Sequence, residues 1–259
     1  MLLTIDIGNT EITIGLFAGE RIAAHWRLTT VANRTPDEWA ATMTAHLVQA
    51  GHSSNEVRAA VQASVAPGVT EALAEGIRQS TGQRPVTVGA ASRLPIKLDV
   101  EEPMTVGADR VVNTLAAVAL YQRDTVVVDF GTATTFDCIT ADGRFIGGVI
   151  APGILTAADN LIKRTAKLPA TELVAPAKVI GRRTEECIRA GVLFGAADAA
   201  DGIVRRIKAE WPGKSVPYVV ATGGLASMIV PLSKEIEKVD PYLTLTGLRL
   251  AAAHLGLKW

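Results

Sequence analysis

The stretches Leu3-Thr4-Ile5-Asp6-Ile7-Gly8-Asn9-Thr10 and Val126-Val127-Val128-Asp129-Phe130-Gly131-Thr132-Ala133 carry one pattern in two places. In each, an apolar run reads as a strand, an aspartate sits near its end, and a glycine opens a small polar turn. The neighbourhood repeats as well. A second apolar stretch follows each turn, and Gly19-Glu20 or Asp142-Gly143 then marks another turn into a third strand, Arg21 to Leu28 or Arg144 to Ile150. Two halves on one plan are expected, divided at residues 1–115 and 116–259.

Helical patterns lie between and after these blocks, which makes the chain α/β. Pro36 to Ala50 places Trp39, Met43 and Leu47 on one face, with Thr35 as N-cap, Pro36 at the first helical position, Asp37 and Glu38 in the first turn and Gly51 beyond the end. Val69, Leu73 and Ile77 predict a second helix over 69–80, and a third opens at Asp109 with Val111, Leu115, Val118 and Ala119 facing a core. Further helices are expected near 155–165, 184–210 and 246–255. No Gly/Ser-rich linker intervenes, so the halves should join as a packed hinge around residues 110–124.

The 259 residues are 48% hydrophobic, yet contain no continuous apolar run of membrane length. Met1-Leu2-Leu3-Thr4-Ile5-Asp6 lacks a basic leader and puts a carboxylate where a signal peptide would be apolar, so a cytoplasmic location without membrane association is expected. The 26 basic residues balance 26 acidic ones, and no basic run is interleaved with aromatics, which argues against a nucleic-acid partner. Cys138 and Cys187 lie far apart without CxxC spacing and read as buried free thiols. His25, His46, His52 and His254 form no ligand pair for zinc.

A repeated Asp-x-Gly hairpin has a chemical use. Glycine lets the backbone turn with N–H groups exposed, while Asn9, Thr10, Thr132 and Thr134 add donors suited to phosphate. Asp6 beside the first loop could hold Mg²⁺, which commonly takes one or two carboxylates plus substrate phosphates. Two such hairpins facing each other would clamp a triphosphate. Ordinary turn chemistry also makes hairpins, but a second copy that includes the aspartate favours a ligand. Val219-Val220-Ala221-Thr222-Gly223-Gly224 runs a strand into a double glycine, which fits either the close approach of a base or ribose or a plain tight connection. Gly213-Lys214-Ser215 resembles the tail of a P-loop, but position 208 is Lys and a strand pattern follows, so that motif fails. Near the third helix, Asp109 can be an N-cap and Arg110 a solvated residue; the same pair can accept a hydroxyl proton and orient an anionic group.

Taken in order, Asp6-Ile7-Gly8-Asn9-Thr10, Gly107-Ala108-Asp109-Arg110, Asp129-Phe130-Gly131-Thr132-Ala133-Thr134 and Gly147-Gly148-Val149-Ile150-Ala151-Pro152-Gly153 resemble type III pantothenate kinase. Arg34-Thr35-Pro36-Asp37-Glu38, Lys167-Leu168-Pro169, Gly181-Arg182-Arg183-Thr184 and Ala221-Thr222-Gly223-Gly224-Leu225 extend the likeness over nearly the whole chain. The resemblance implies two related actin-like (ribonuclease H-like) domains with a nucleotide cleft between them, as in acetate and sugar kinases. It implies transfer of phosphate from ATP to pantothenate, opening coenzyme A synthesis. It also implies an ATP site formed by Asp6, Ile7, Gly8, Asn9, Thr10, Glu11, Ile12 and Thr13, with Thr132, Gly223 and Gly224 as further ATP contacts. Gly107, Ala108, Asp109 and Arg110 would bind pantothenate, Asp109 as proton acceptor, with Thr184 as another substrate contact. Asp6 would meet Mg²⁺, and Asp129 a monovalent cation, K⁺ or NH₄⁺. The family's homodimers would let Thr184 reach the partner's pantothenate, with Ile188, Val192, Leu193 and Phe194 available as apolar contacts.

Two positions depart from the pattern. Glu11 stands where a neutral or basic residue is more usual, an extra carboxylate that strand alternation could point away, and no tyrosine precedes Gly107. A kinase for another small hydroxylated metabolite and an inactive nucleotide-binding regulator are the competing functions; retention of Asp6, Asp109, Arg110 and Asp129 argues against the second.

Overall fold

The first apolar run becomes β1 (Leu2–Ile7), which turns into β2 (Glu11–Ala18) and then β3 (Arg21–Thr29) as an antiparallel meander. The computed structural model describes residues 1–259 and divides into two units, Met1–Leu120 with Tyr242–Trp259, and Tyr121–Pro241. In the first unit α1 (Pro36–Gln49), β4 (Ala59–Ser64), α2 (Pro67–Thr81), β5 (Val86–Val88), a two-residue strand β6 (Lys97–Leu98) and α3 (Ala108–Tyr121) follow. The sheet order is β3-β2-β1-β4-β5, with β4 parallel to both neighbours. Strand β4 was not expected. Its sequence, Ala59-Ala60-Val61-Gln62-Ala63-Ser64, lacks bulk and alternation because both of its faces are covered.

One face of this sheet carries Leu3, Ile5, Ile7, Ile12, Ile14 and Leu16, packed with Trp39, Met43 and Leu47 of α1 and Val69, Leu73 and Ile77 of α2. At roughly 1.5–3 kcal/mol per fully buried large aliphatic side chain, this layer is a major source of the unit's stability. Helix α1 starts on a capping box: the Glu38 N–H donates to Thr35 Oγ1 (3.3 Å) and the Thr35 N–H to Glu38 Oε2 (2.8 Å).

The second unit repeats the plan. Strands β7 (Thr125–Phe130), β8 (Ala133–Ile139) and β9 (Arg144–Pro152) form an antiparallel meander, and α4 (Ile154–Lys163), α5 (Thr184–Glu210), β10 (Tyr218–Thr222), α6 (Ala226–Ile229) and β11 (Lys238–Val239) follow. Strand β10 lies parallel to β7 and β11, so the run β11-β10-β7-β8-β9 matches β5-β4-β1-β2-β3 element for element. The aspartates correspond in register too: Asp6 faces Thr13 across its hairpin and Asp129 faces Thr135. Val126, Val128, Phe130 and Phe136 pack against Leu193, Ala197 and Val204 of α5. Ser215, from the P-loop-like triplet, bonds the Asp124 carboxylate, which also accepts from Trp211 Nε1 (2.9 Å); these bonds tie the approach to β10 to the start of β7. Cys138 is buried as expected, but Cys187 is exposed on α5.

The last helix, α7 (Leu243–His254), belongs to the first unit, whereas the sequence division at 116–259 had put it with the second. Its Leu245 and Leu248 join Leu2, Phe17, Val61 and Val88 with Val112 and Leu115 of α3 on the sheet's other face. An amphipathic stripe declares that a helix covers something, not which of two similar sheets it covers. The contact is close at Gly247, where a Cβ would stand 2.1 Å from the carbonyl oxygen of Val112. Gly247→Ala is therefore expected to lower stability by about 2–4 kcal/mol, read as a lower denaturant midpoint with unchanged slope.

Candidate active site

At the end of β1 the chain reverses through Asn9-Thr10, with the Gly8 N–H donating to the Glu11 carbonyl (3.0 Å). No residue from 8 to 11 has a positive φ, so this is not one of the mirror-image turns that ordinarily select Asn-Gly in hairpins. Asn9, Thr10 and Glu11 are exposed and Asp6 is half-buried. Ile7 and Ile12, which the resemblance included among ATP contacts, have fully buried side chains in the core and offer the loop only their backbone. Alternation does not turn Glu11 away from Asp6, because Glu11 shares a face with Thr13, and Thr13 pairs with Asp6. Arg27 on β3 instead meets Glu11 at 3.0 Å, compensating the charge that would repel a phosphate.

Helix α3 begins at Ala108, so Asp109 is a first-turn residue rather than the N-cap. Its Oδ1 accepts from the Arg110 N–H (2.8 Å), while the Val111 N–H closes on the Gly107 carbonyl (3.1 Å). Burial raises the Asp109 carboxyl above the usual aspartate range, opposed by the backbone N–H and positive charge of Arg110. Ala108 shares a core cluster with Ala63 and Val88, the residues near the carboxyl ends of β4 and β5, and Ala63 is the register partner of Asp6. Asp6 and the start of α3 therefore occupy the carboxyl ends of parallel strands in one sheet, where α/β folds hold their ligands.

In the second unit, the Gly131 N–H donates to the Ala133 carbonyl (3.0 Å) and Thr132 is exposed at the tip. Thr134 is buried at 7% exposure, contrary to its expected use as a surface donor; Thr135 takes the place beside Asp129 that Thr13 takes beside Asp6. Gly223, at φ +91°, lies so close that a Cβ would come within 2.3 Å of Asp129 Oδ1. The double glycine thus sits on the carboxylate of β7. Thr184 is the exposed first residue of α5, with Arg183 rather than Thr184 as N-cap. In the apolar stripe after it, Ile188 and Leu193 are already buried within this chain. An apolar cavity of about 490 Å³ opens beside it, lined by Phe136, Ile154, Leu161, Ile188, Val192 and Ile203 among others.

The sequence model of type III pantothenate kinase matches residues 2–206. The enzyme of that name from Moorella thermoacetica is 44% identical over 250 residues, covering 96% of this chain and 98% of the relative. This chain belongs to the type III pantothenate kinase family. A second member, from Thermomicrobium roseum, is 45% identical over 251 residues and covers 97% and 96% of the two chains. Among solved structures, a putative Baf family transcriptional activator from Campylobacter jejuni superimposes with TM-score 0.60 at 17% identity, covering 98% of each chain. Component A of (R)-2-hydroxyglutaryl-CoA dehydratase from Acidaminococcus fermentans gives 0.56 at 16%, covering 98% and 96%. The mixed α/β fold with two sheets is thereby borne out. No helix is long and apolar enough to cross a membrane.

Sequence reasoning passed over Arg27, Thr135, and two threonines, Thr30 and Thr156, that bond the hairpin loops. Only the register of β8 could have pointed to Thr135, as the counterpart of Thr13.

Proposed function

We propose that this chain transfers the γ-phosphoryl group of ATP to the hydroxyl of pantothenate, giving 4′-phosphopantothenate and ADP at the opening of coenzyme A synthesis. The family match carries the reading, because it spans both hairpin loops and Gly107 to Arg110 in order. Phosphoryl transfer depends on positioning and on charge neutralisation around the moving group, and the residues are apportioned accordingly. The two hairpin loops bind the phosphates through N–H, Asn and Thr donors. Arg110 orients the pantothenate carboxylate, and Asp109 accepts the proton of the attacking hydroxyl.

Nothing in the chain gathers three or more His, Cys, Asp or Glu side chains into a metal cage. Mg²⁺ that arrives on the phosphates needs no such cage, and Asp6, half-buried beside its loop, fits as its one carboxylate. When bound, it neutralises charge on the transferring group. Asp129 fits a monovalent cation, K⁺ or NH₄⁺, because Gly223 has no side chain to crowd the carboxylate. We further propose a cytoplasmic homodimer in which Thr184 meets pantothenate.

Incubating the purified chain with ATP, Mg²⁺ and pantothenate, with and without K⁺ or NH₄⁺, tests the reading. The expected result is ADP release that requires pantothenate and rises with the cation. Transfer to another hydroxylated metabolite in place of pantothenate would overturn the acceptor, and ATP binding with no transfer to any acceptor would overturn the kinase.

A further inference from the structure

A loop that binds phosphate has to present donors, so its own carbonyl oxygens must be engaged elsewhere. A carbonyl aimed at an incoming triphosphate would add a partial negative charge to a crowd of full ones. In the first unit three carbonyls of the hairpin loop are engaged. Gly8 donates to the Glu11 carbonyl, and Thr30, the residue after β3, secures the other two: its Oγ1 donates to the Gly8 carbonyl (2.7 Å) and its N–H to the Thr10 carbonyl (2.9 Å). Thr30 is half-buried and belongs to no motif singled out in the sequence.

The second unit solves the same problem with a different residue at the comparable point, after its third strand. Thr156, in the first turn of α4, donates its hydroxyl to the Thr132 carbonyl at the loop tip (2.8 Å). Helix α4 reaches the loop because its N-cap is Gly153, where a Cβ would stand 2.2 Å from that same Thr132 oxygen. Each hairpin is thus braced from outside by one threonine hydroxyl, in units whose sheets share a five-strand run of the same order.

We infer that Thr30 and Thr156 are positioning residues that hold the carbonyls of the two phosphate loops away from the nucleotide, so that each loop meets ATP as a set of donors. The inference rests on the ATP-binding reading of these loops. Neither threonine touches the acceptor in that reading, so the effect should fall on ATP alone.

The test compares Thr30→Val and Thr156→Val, which keep the shape and remove the hydroxyl, with Thr30→Ser and Thr156→Ser, which keep it. ATP affinity is measured by calorimetry, KM for each substrate by kinetics, and melting temperature alongside. Each valine variant should bind ATP about tenfold more weakly, the loss of roughly one net hydrogen bond to the loop, with KM for ATP raised in proportion. KM for pantothenate should stay unchanged, and the serine variants should recover ATP affinity. Valine variants with wild-type ATP affinity, or serine variants as impaired as the valines, would overturn the inference while leaving the kinase reading intact. A wild-type chain that binds no ATP would overturn both. Because the two threonines lie in different units, a failure of Thr30→Val to fold leaves Thr156→Val as an independent measurement.

Discussion

Replacing Asp109 by Asn is expected to lower kcat by about 10²-fold or more while ATP binds as in the wild type. The amide has the shape of the carboxylate and its oxygen can still accept from the Arg110 N–H at 2.8 Å, so the start of α3 should survive. What disappears is the capacity to take a proton. The pH profile gives a second readout. Burial holds the Asp109 carboxyl above the ordinary aspartate range, so wild-type activity should fall on acidification sooner than an exposed aspartate would allow, and the variant should lack that limb. Stability should move the opposite way. A carboxyl whose folded value is raised binds its proton more tightly in the native state, so its ionisation costs stability at neutral pH and costs nothing once acid has protonated both states. Asp109→Asn should therefore melt higher than wild type near neutrality, with the difference closing in acid. Unchanged kcat would reduce Asp109 to a helix-start residue.

The site was legible where the chemistry is local in sequence. Asp6 and Asp129, each near the end of an apolar run and before a glycine, revealed both hairpins and their equivalence, because strand, turn and carboxylate lie within a few consecutive residues. Helix α5 was legible over its full span for the same reason. Contacts made across the sequence were not. Thr30 lies 22 residues from the Gly8 carbonyl its hydroxyl braces and Thr156 lies 24 from the Thr132 carbonyl, and an isolated threonine carries no signal of so distant a partner. The assignment of α7 failed for lack of a long-range cue, since two sheets of one plan present similar apolar faces. Glu11 taught a further lesson: alternation fixes which face a side chain takes, but the ion pair it finds there depends on the neighbouring strand, here on Arg27.

Gly223→Ala should remove most ATP affinity, by about 100-fold or roughly 2.7 kcal/mol, although the change adds a single methyl group. Two penalties meet there. At φ +91° an alanine is strained by about 1–3 kcal/mol, and its Cβ would fall 2.3 Å from Asp129 Oδ1 and 2.7 Å from the backbone nitrogen and oxygen of Phe130. The nearby alternative, in which the glycine itself yields, would strain the bond from the Leu225 N–H to the Phe130 carbonyl (3.3 Å). The carboxylate and the end of β7 are expected to shift, and Gly131 and Thr132 follow directly in the chain. If displacement of Asp129 is the route, stimulation by K⁺ should disappear along with ATP affinity. A double-mutant cycle with Asp129→Ala isolates that route: deleting the carboxylate removes the closest clash, so the two substitutions together should cost less than the sum of their separate effects. Strict additivity would mean that Gly223 acts on the loop through Phe130 alone, and wild-type ATP affinity in Gly223→Ala would sink the assignment of this corner to the nucleotide.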